Sequence, residues 1–355
     1  MRWSTLTSPW AASVAAEKAR ARIASLIGAD SDEIVFTSGA TESNNLAIIG
    51  MARATSFDRR RRKIIVSAIE HKSVLASAQA LAKEGFETVL APVDGNGVID
   101  IEAFTTAIDN QVALVSLMAV NNEIGTVQPV TQIADVCRSF NVPFHIDASQ
   151  ALCFLPINVA EMGVDLMSIS AHKSYGPKGI GALYIRRGLT PRPHPLTFGG
   201  AQEGGLRPGT LPVPLCVGFG KACEILELER SQDVDHASKM SELLLLKIRQ
   251  RIPEVRKNGA SIVRHPGNLN LTFLGVEAGL LLNAIQPDVA ASSGSACSSG
   301  FQEPSYVLRA IGLSVIDALS SVRFSVGRFT TQDDILRASD LISTAVESLR
   351  FVGSV

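Results

Sequence analysis

Short apolar runs alternate with longer segments of helical periodicity up to residue 185. The runs are rich in β-branched residues and lie at 34–36, 64–66, 113–117, 144–146, 166–169 and 181–185. Segments with apolar residues at spacings of three and four lie at 14–26, 43–53, 74–83 and 130–140. Strands this apolar are buried on both faces, which is typical of a mostly parallel sheet flanked by helices. The alternation therefore predicts an α/β fold.

The pattern changes behind this region. A stretch rich in proline and glycine at 191–209 is followed by a helical segment from about Val213 to Arg251. Beyond it, strand-like runs such as 269–273 and a final helix indicate a smaller α+β unit. We therefore expect a large domain over 11–225 and a small domain over 226–355.

Composition excludes several classes of protein. The 355 residues carry a formal net charge of -1 with 19% charged residues, so there is no general attraction to nucleic acids or anionic membranes. The basic run at 59–63 is interpreted as a solvated connection, and direct nucleic-acid binding is not expected. Five cysteines without CxxC spacing and six histidines without metal-ligand spacing indicate reduced thiols and no bound metal. With no apolar stretch long enough to span a membrane, we expect a cytoplasmic protein.

One lysine stands directly after a predicted buried strand. The run at 165–169 continues into Ser170, Ala171, His172 and Lys173. Burial disfavours an ammonium ion, so an amine held there loses its proton readily and can attack the aldehyde of pyridoxal phosphate. A surface lysine just past a strand end is the alternative for a motif this short.

Polar side chains also follow the other predicted strands. The first strand leads through a turn at 37–42 into a helix, so the turn presents backbone N–H groups and a hydroxyl where a phosphate binds well. An ordinary Ser/Thr N-cap is the alternative. In open parallel sheets, ligands collect at the carboxyl ends of the strands. The residues that the pattern brings to this edge are Thr41, His71, Asn122, Asp147 and Lys173.

These residue types suit a pyridine ring. Asp147 can pair with a protonated pyridine nitrogen, and the flat ring of His71 can stack on the pyridine face. Asn122 and Gln150 can donate to a phenolic oxygen. For each residue an ordinary role stays open: a helix cap for the aspartate, turn chemistry for the amides and a satisfied loop position for the histidine.

The segments that contain these residues together resemble the cysteine desulfurases. They are Ser38-Gly39-Ala40-Thr41-Glu42-Ser43, Glu70-His71-Lys72, Val120-Asn121-Asn122-Glu123-Ile124-Gly125, His145-Ile146-Asp147-Ala148-Ser149-Gln150, Ser170-Ala171-His172-Lys173-Ser174-Tyr175-Gly176-Pro177-Lys178-Gly179, Arg207-Pro208-Gly209-Thr210, Ser292-Ser293-Gly294-Ser295-Ala296-Cys297 and Val322-Arg323-Phe324-Ser325. That family belongs to the class V, fold-type I pyridoxal phosphate enzymes, dimers that take sulfur from L-cysteine, leave alanine and hold the sulfur as a protein persulfide. The resemblance covers nearly the whole chain in order.

The resemblance implies a role for each matching residue. Lys173 would form a Schiff base with pyridoxal phosphate, Asp147 would pair with its pyridinium nitrogen, and His71 would stack on its ring and serve catalysis. The other implied contacts are Asn122 and Gln150 at the ring oxygen, Ala40, Thr41, Ser170 and His172 at the phosphate, Thr210 at the phosphate of the other subunit's cofactor, and Asn122 and Arg323 at the substrate. A guanidinium suits a carboxylate because it offers two parallel donors, although a structural ion pair is the alternative for Arg323. A shared cofactor site implies a homodimer.

Cys297 matches the family's nucleophile. Small residues surround it, at 292–295 and 298–300, and this composition predicts a mobile loop. Mobility suits a thiolate that takes sulfur from a bound substrate and carries the persulfide to an acceptor protein. The long loop, followed by the segment at 303–309, resembles the branch that serves iron-sulfur assembly and tRNA thiolation.

The chain departs from the family pattern in two places. Relatives begin with a strand and a Tyr-Leu-Asp-x-x-Ala-Thr-Thr-Pro segment that this sequence lacks, so we expect uncovered apolar surface in the small domain and weakened substrate binding. Gly204 stands where relatives commonly carry arginine, so we expect one charge fewer near the phosphate contact of the dimer. Two alternatives follow: another class V enzyme, such as an aminotransferase or selenocysteine lyase that does not need Cys297, or a catalytically silent scaffold that binds a sulfur-transfer partner.

Overall fold

The structure is a computed structural model that describes residues 9–58, 60–293 and 303–352. The chain forms two compact units. The first comprises the described residues up to Ala91, Ile101–Ala119 and Pro129–Arg230, and the second comprises Pro92–Asp100, Val120–Gln128 and the described residues from Ser231 onward.

A seven-stranded sheet forms the centre of the first unit. Its strands are β1 (Ile34–Thr37), β2 (Lys63–Ser67), β3 (Glu87–Ala91), β4 (Val112–Met118), β5 (Phe144–Asp147), β6 (Leu166–Ser170) and β7 (Gly181–Ile185). Their order is β1-β7-β6-β5-β4-β2-β3, and β7 runs antiparallel to both of its neighbours while the other pairs are parallel. Strands β1 and β4 to β7 are buried along their whole length, as expected when helices cover both faces. The predicted α/β fold with a mostly parallel sheet is confirmed.

Helices precede, connect and follow these strands. They are α1 (Pro9–Ile27), α2 (Ala40–Thr55), α3 (Lys72–Ala80), α4 (Ile101–Ala107), α5 (Val130–Ser139), α6 (Val159–Met162) and the first part of α7 (Val213–Arg251). Short 3-10 helices lie at Ser31–Glu33, Leu81–Glu84, Ala171–Lys173 and Gln202–Gly205. Leu46, Ile48 and Met51 of α2 pack in one apolar cluster with Val66 and Leu183 of the sheet, which fixes α2 on its surface.

The second unit contains a three-stranded antiparallel sheet. Its strands are β8 (Arg256–Lys257), β9 (Asn268–Thr272) and β10 (Ser321–Ser325), in the order β10-β9-β8. The helices that follow α7 are α8 (Ala278–Ile285), α9 (Tyr306–Ala310), α10 (Val315–Leu319) and α11 (Gln332–Val352). Phe273 and Phe324 meet edge to face at 6.3 Å between ring centroids, in a core that includes Ile342 and Val346 of α11.

The division between the units differs from the predicted boundary in one respect. The break inside α7, between Arg230 and Ser231, lies close to the expected one. However, Pro92–Asp100 and Val120–Gln128 belong to the second unit, whereas the sequence placed them in the large domain. Side-chain hydrogen bonds join these two segments to each other, from Thr126 Oγ1 to the Asn96 carbonyl oxygen at 2.6 Å and from Gln128 Nε2 to that of Gly97 at 2.7 Å.

Three residues of the basic run make contacts within the first unit. Arg61 donates to the carbonyl oxygens of Val112 and Asn141, and Arg62 stacks over the ring of Phe86 at 4.9 Å. Lys63 pairs with Asp109 at 2.7 Å. The run was interpreted as a solvated connection; Arg61, Arg62 and Lys63 are half-buried and make contacts within the first unit. Among the helices of the described residues, none is both long and apolar enough to cross a bilayer.

Candidate active site

The carboxyl ends of four parallel strands of the first unit carry most of the predicted site residues. His71 follows β2, Asp147 ends β5, and Lys173 follows β6, while Thr41 lies in the first turn of α2 behind β1. Because parallel strands end at the same edge of a sheet, these four positions belong to one edge of it. Asn122 lies in the second unit and is described there.

Asp147 is held by three donors. It is 6% exposed, and its Oδ1 accepts hydrogen bonds from Ser149 N at 2.9 Å and Ser149 Oγ at 2.5 Å. Its Oδ2 accepts one from Asn44 Nδ2 at 2.7 Å. The carboxylate therefore acts only as an acceptor and is fixed in orientation by groups from β5's own turn and from α2.

Two buried titratable groups lie near Asp147. Burial raises the pKa of Glu70 well above its ordinary value, and the negative charge of Asp147 acts in the same direction. Burial lowers the pKa of His145 to about 4, although Asp147 acts in the opposite direction. His145 is held between Ser116 Oγ at 2.8 Å and Ser168 Oγ at 2.9 Å. At neutral pH His145 is therefore uncharged and forms no ion pair with Asp147.

His71 begins helix α3 as its N-cap. Its Nδ1 accepts a hydrogen bond from Ser73 N at 3.1 Å and lies 2.8 Å from Ser73 Oγ. The ring itself is exposed. The local sequence explains this geometry, because an acceptor side chain at the N-cap satisfies a backbone N–H group of the first turn. His71 therefore presents a ring of fixed orientation at the strand edge.

The turn between β1 and α2 places a glycine at the start of the helix. Gly39 adopts φ 150° and ψ 177°, and no side chain caps α2. A Cβ on Gly181 would lie 2.7 Å from Gly39 Cα, so position 181 requires glycine for this close approach. Thr41 is exposed and Ala40 half-buried. The start of this 16-residue helix has the backbone geometry of an anion site.

Ser170 is the last residue of β6, and His172 lies in the 3-10 helix Ala171–Lys173 that follows it. The buried Ser170 Oγ lies 2.9 Å from His172 Nδ1. Burial lowers the pKa of His172, and the positive charges of Lys173 and Lys178 act in the same direction. The pair therefore offers a hydroxyl and an imidazole next to the lysine.

Lys173 ends the 3-10 helix Ala171–Lys173. The prediction of a buried amine is wrong, because Lys173 is exposed in this chain. The helix carries the residue beyond the end of β6, where side chains of the sheet no longer cover it. Its carbonyl oxygen lies 2.7 Å from Cys153 Sγ, a contact that fixes the backbone rather than the amine.

Asn122 and Arg323 meet in the second unit. Arg323 Nη1 donates to the Asn122 carbonyl oxygen at 2.9 Å, and both residues are half-buried. Within residues 9–58, 60–293 and 303–352, Arg323 forms no ion pair, so the structural ion pair considered from the sequence is not found there. Arg323 also exchanges two backbone hydrogen bonds with Ser292, at 2.7 and 3.1 Å.

The remaining predicted site residues are Gln150, Thr210 and Cys297. Gln150 is half-buried and Thr210 is exposed, both in the first unit. Cys297 lies outside the described residues. The chain before it is anchored by the pairing of Ser292 with Arg323 on β10.

Two interactions near the turn at 37–42, the predicted phosphate turn, were not predicted. Arg207 pairs with Glu42 at 2.9 Å, and Glu42 also accepts a hydrogen bond from Ser38 N at 2.6 Å. Glu203, Gly204 and Gly205 all adopt left-handed φ values, of 50°, 64° and 76°. An arginine at position 204 would be strained there, which gives a physical reason for the glycine. No sequence motif indicates that Glu42 and Arg207 form an ion pair.

Comparison with known proteins places this geometry in a family. Residues 4–337 match the model for class-V aminotransferases. The chain is 51% identical to the cysteine desulfurase IscS of Rickettsia typhi over 341 residues, 96% of this chain and 82% of that one. It is 51% identical to the human cysteine desulfurase over 327 residues, 92% of this chain and 71% of that one.

Solved structures agree. A NifS-like protein superposes with a TM-score of 0.88 at 33% identity, covering 98% of this chain and 91% of that one. SspA in complex with cysteine superposes with a TM-score of 0.77 at 38% identity, covering 90% and 88%. The resemblance seen in the sequence motifs is confirmed. The chain belongs to the cysteine desulfurases of the class-V aminotransferase family.

Proposed function

We propose that this enzyme converts L-cysteine to L-alanine with pyridoxal phosphate, and that it transfers the sulfur to Cys297 as a persulfide and onward to an acceptor protein. One observation carries the proposal. The buried Asp147 carboxylate, fixed by three donors, lies at the same sheet edge as His71 and Lys173. Cysteine as substrate is supported by the related SspA, whose structure contains it.

The residues of the first unit fit pyridoxal phosphate. An acceptor-only carboxylate at Asp147 suits a protonated pyridine nitrogen, and a primary amine at Lys173 suits the aldehyde. The uncapped start of α2 suits the phosphate. The residues of this unit proposed to hold the cofactor are Ala40, Thr41, His71, Asp147, Gln150, Ser170, His172 and Lys173, with Thr210 reaching the cofactor of the partner subunit in a homodimer. Asn122, of the second unit, is proposed on the family resemblance alone.

When bound, pyridoxal phosphate supplies an electron sink for bonds at the substrate's α-carbon. The chain's own residues would then do three things. Asp147 would hold the proton on the ring nitrogen, and His71 would cover one face of the ring and exchange protons with the substrate through its free nitrogen. Arg323 would bind the substrate carboxylate with the forked donors of its guanidinium.

Cys297 would act as the nucleophile. Its thiolate attacks the substrate sulfur, a new S–S bond forms, and the substrate C–S bond breaks with its electron pair on the carbon side. That carbon takes up a proton and leaves as alanine, so cysteine and one protein thiol become alanine and one persulfide. The terminal sulfur then passes to an acceptor thiol, in iron-sulfur assembly or tRNA thiolation.

The other cysteines support this assignment. Burial raises the pKa of Cys137 and Cys223 to about 12 and that of Cys216 to about 11. Such thiols carry almost no thiolate at neutral pH and are poor nucleophiles. Cys153, half-buried beside Lys173, is the one other candidate among the described cysteines. The four cysteines within the described residues form no disulfide, which also supports a cytoplasmic location.

The test compares two cysteine variants. Purified protein loaded with pyridoxal phosphate is incubated with L-cysteine, and alanine and protein persulfide are measured in the wild type, in Cys297→Ser and in the matched control Cys153→Ser. We expect both products to fall at least a hundredfold in Cys297→Ser and to stay within about twofold in Cys153→Ser. Turnover that survives in Cys297→Ser would indicate another class V activity. A protein that binds the cofactor yet stays inert would indicate a scaffold.

A further inference from the structure

We infer that Asn44 and Ser73 form a buried hydrogen-bond relay between Asp147 and His71, with Asn44 as a positioning residue for both groups. Asn44 lies in the second turn of α2 and is fully buried. Its single nitrogen Nδ2 lies 2.7 Å from Asp147 Oδ2 and 2.9 Å from Ser73 Oγ. The inference rests on the proposed function in so far as Asp147 and His71 face the cofactor.

The relay has a fixed direction at its Asp147 end. A carboxylate can only accept hydrogen bonds, so the amide of Asn44 must turn its nitrogen, not its oxygen, toward Asp147. The two hydrogens of Nδ2 then serve Asp147 and Ser73 together. Asn44 Oδ1 is left buried without a hydrogen-bond partner in the part of the chain that the structure describes. A buried oxygen without a hydrogen-bond partner costs free energy, and the two hydrogen bonds that Nδ2 donates offset this cost.

The His71 end is fixed as well. The backbone N–H of Ser73 can only donate, so His71 Nδ1 is an acceptor and carries no proton. Ser73 Oγ accepts from Asn44, and its own hydrogen points to the same Nδ1 at 2.8 Å. Every hydrogen bond of the relay therefore has one orientation. In the neutral ring of His71 the proton is on Nε2, the nitrogen left to exchange protons.

The relay couples two groups that the chain places 76 positions apart, counting from His71 to Asp147. Asn44 restrains the Asp147 carboxylate directly and, through Ser73, restrains the His71 ring. The nearby His145 is held separately by Ser116 and Ser168 and contacts no member of the relay by hydrogen bond. A change at Asn44 should therefore reach His71 only through Ser73.

The test uses the cofactor-free protein first. With ¹⁵N-labelled histidine, and His71 assigned by a His71→Gln variant, we expect an unprotonated shift for Nδ1 and a protonated shift for Nε2. Asn44→Leu should move the Nδ1 resonance in the wild-type background and leave it unmoved in the Ser73→Ala background, because the connection is then already cut. A protonated Nδ1, or a shift of equal size in both backgrounds, overturns the relay.

Cofactor binding gives the second measurement. Asn44→Leu removes one of three donors to Asp147, so we expect pyridoxal phosphate to bind about tenfold more weakly, with an altered absorption maximum. Ser73→Ala should also lose affinity for pyridoxal phosphate, whereas Ser73→Thr, which keeps the hydroxyl, should retain it. Ser77→Ala is the matched control, since Ser77 Oγ donates only to the Ser73 carbonyl oxygen at 2.6 Å. Unchanged affinity in a folded Asn44→Leu protein overturns the positioning role.

The two measurements separate this inference from the proposed function. If the relay appears in the histidine spectrum but pyridoxal phosphate does not bind, the proposed function fails and the hydrogen-bond network stands. If the cofactor binds to Lys173 and Cys297 forms a persulfide while Asn44→Leu leaves both His71 and the affinity unmoved, only the relay fails.

Discussion

Arg20 and Glu203 form a buried bidentate ion pair. Arg20 Nη1 and Nη2 each lie 2.7 Å from an oxygen of Glu203, whose side chain is 2% exposed. Glu203 also accepts a hydrogen bond from Phe36 N at 2.7 Å, and the Arg20 guanidinium stacks over the Phe36 ring at 4.6 Å. The pair therefore joins α1, β1 and the turn at Gln202–Gly205 next to the phosphate turn.

Removing one partner of this pair should destabilise the protein strongly. Arg20→Met leaves the Glu203 carboxylate buried without its cation, and we expect the free energy of unfolding to fall by about 3–5 kcal/mol. Urea denaturation measures the loss. The double variant Arg20→Met/Glu203→Gln should lose less than the sum of the two single variants. A loss below about 1 kcal/mol in Arg20→Met would contradict a buried pair.

Gly204 should resist substitution for conformational reasons alone. Its φ is 64°, and a Cβ there would meet no atom within 4 Å. Gly204→Ala should therefore cost about 1–2 kcal/mol from the left-handed backbone, without any clash. Gly95→Ala is the matched control, because Gly95 lies outside the left-handed region and its Cβ would have ordinary space. Equal melting temperatures for the two variants would refute the strain.

Part of the fold follows from the sequence because burial on both faces leaves a plain apolar signature. That signature predicted β4 and β6, and periodicity placed α7 at Val213–Arg251, where it lies. Strand β3 was missed; it exposes Glu87 and Leu90, whereas β1, the other edge strand, is buried along its whole length.

In the candidate site, too, some residues could be proposed from the sequence and others could not. Residues at or shortly after strand ends could be proposed from the sequence because position and chemistry coincide, as at Asp147 and His71. Asn44 and Ser73 were not found, because an asparagine inside a helix and a serine in a first turn look like ordinary surface or capping residues. Only the folded chain brings Asn44 within 2.7 Å of a residue 103 positions away. The exposure of Lys173 depends in the same way on tertiary structure.

Thiol reactivity should separate the cysteines by burial. Cys137, Cys216 and Cys223 are buried, with pKa values raised to about 12, 11 and 12, whereas Cys153 is half-buried. At pH 7.5, iodoacetamide should therefore label Cys153 among these four in the native protein and all four in urea. Mass spectrometry of peptides reads the pattern. Rapid native labelling of any of the three buried thiols would show that the core opens there.

His145 should make stability depend on pH. Its pKa is lowered from 6.5 to about 4 in the folded chain, so between these values the unfolded chain binds more protons. Stability is then fully present above pH 6.5 and is lost as the pH falls toward 4, by about 3 kcal/mol at 1.36 kcal/mol per pKa unit. The difference in unfolding free energy between wild type and His145→Gln, measured in urea from pH 7.5 to 4, should shrink by this amount on acidification. A difference that stays constant with pH would show that His145 is not held neutral between Ser116 and Ser168.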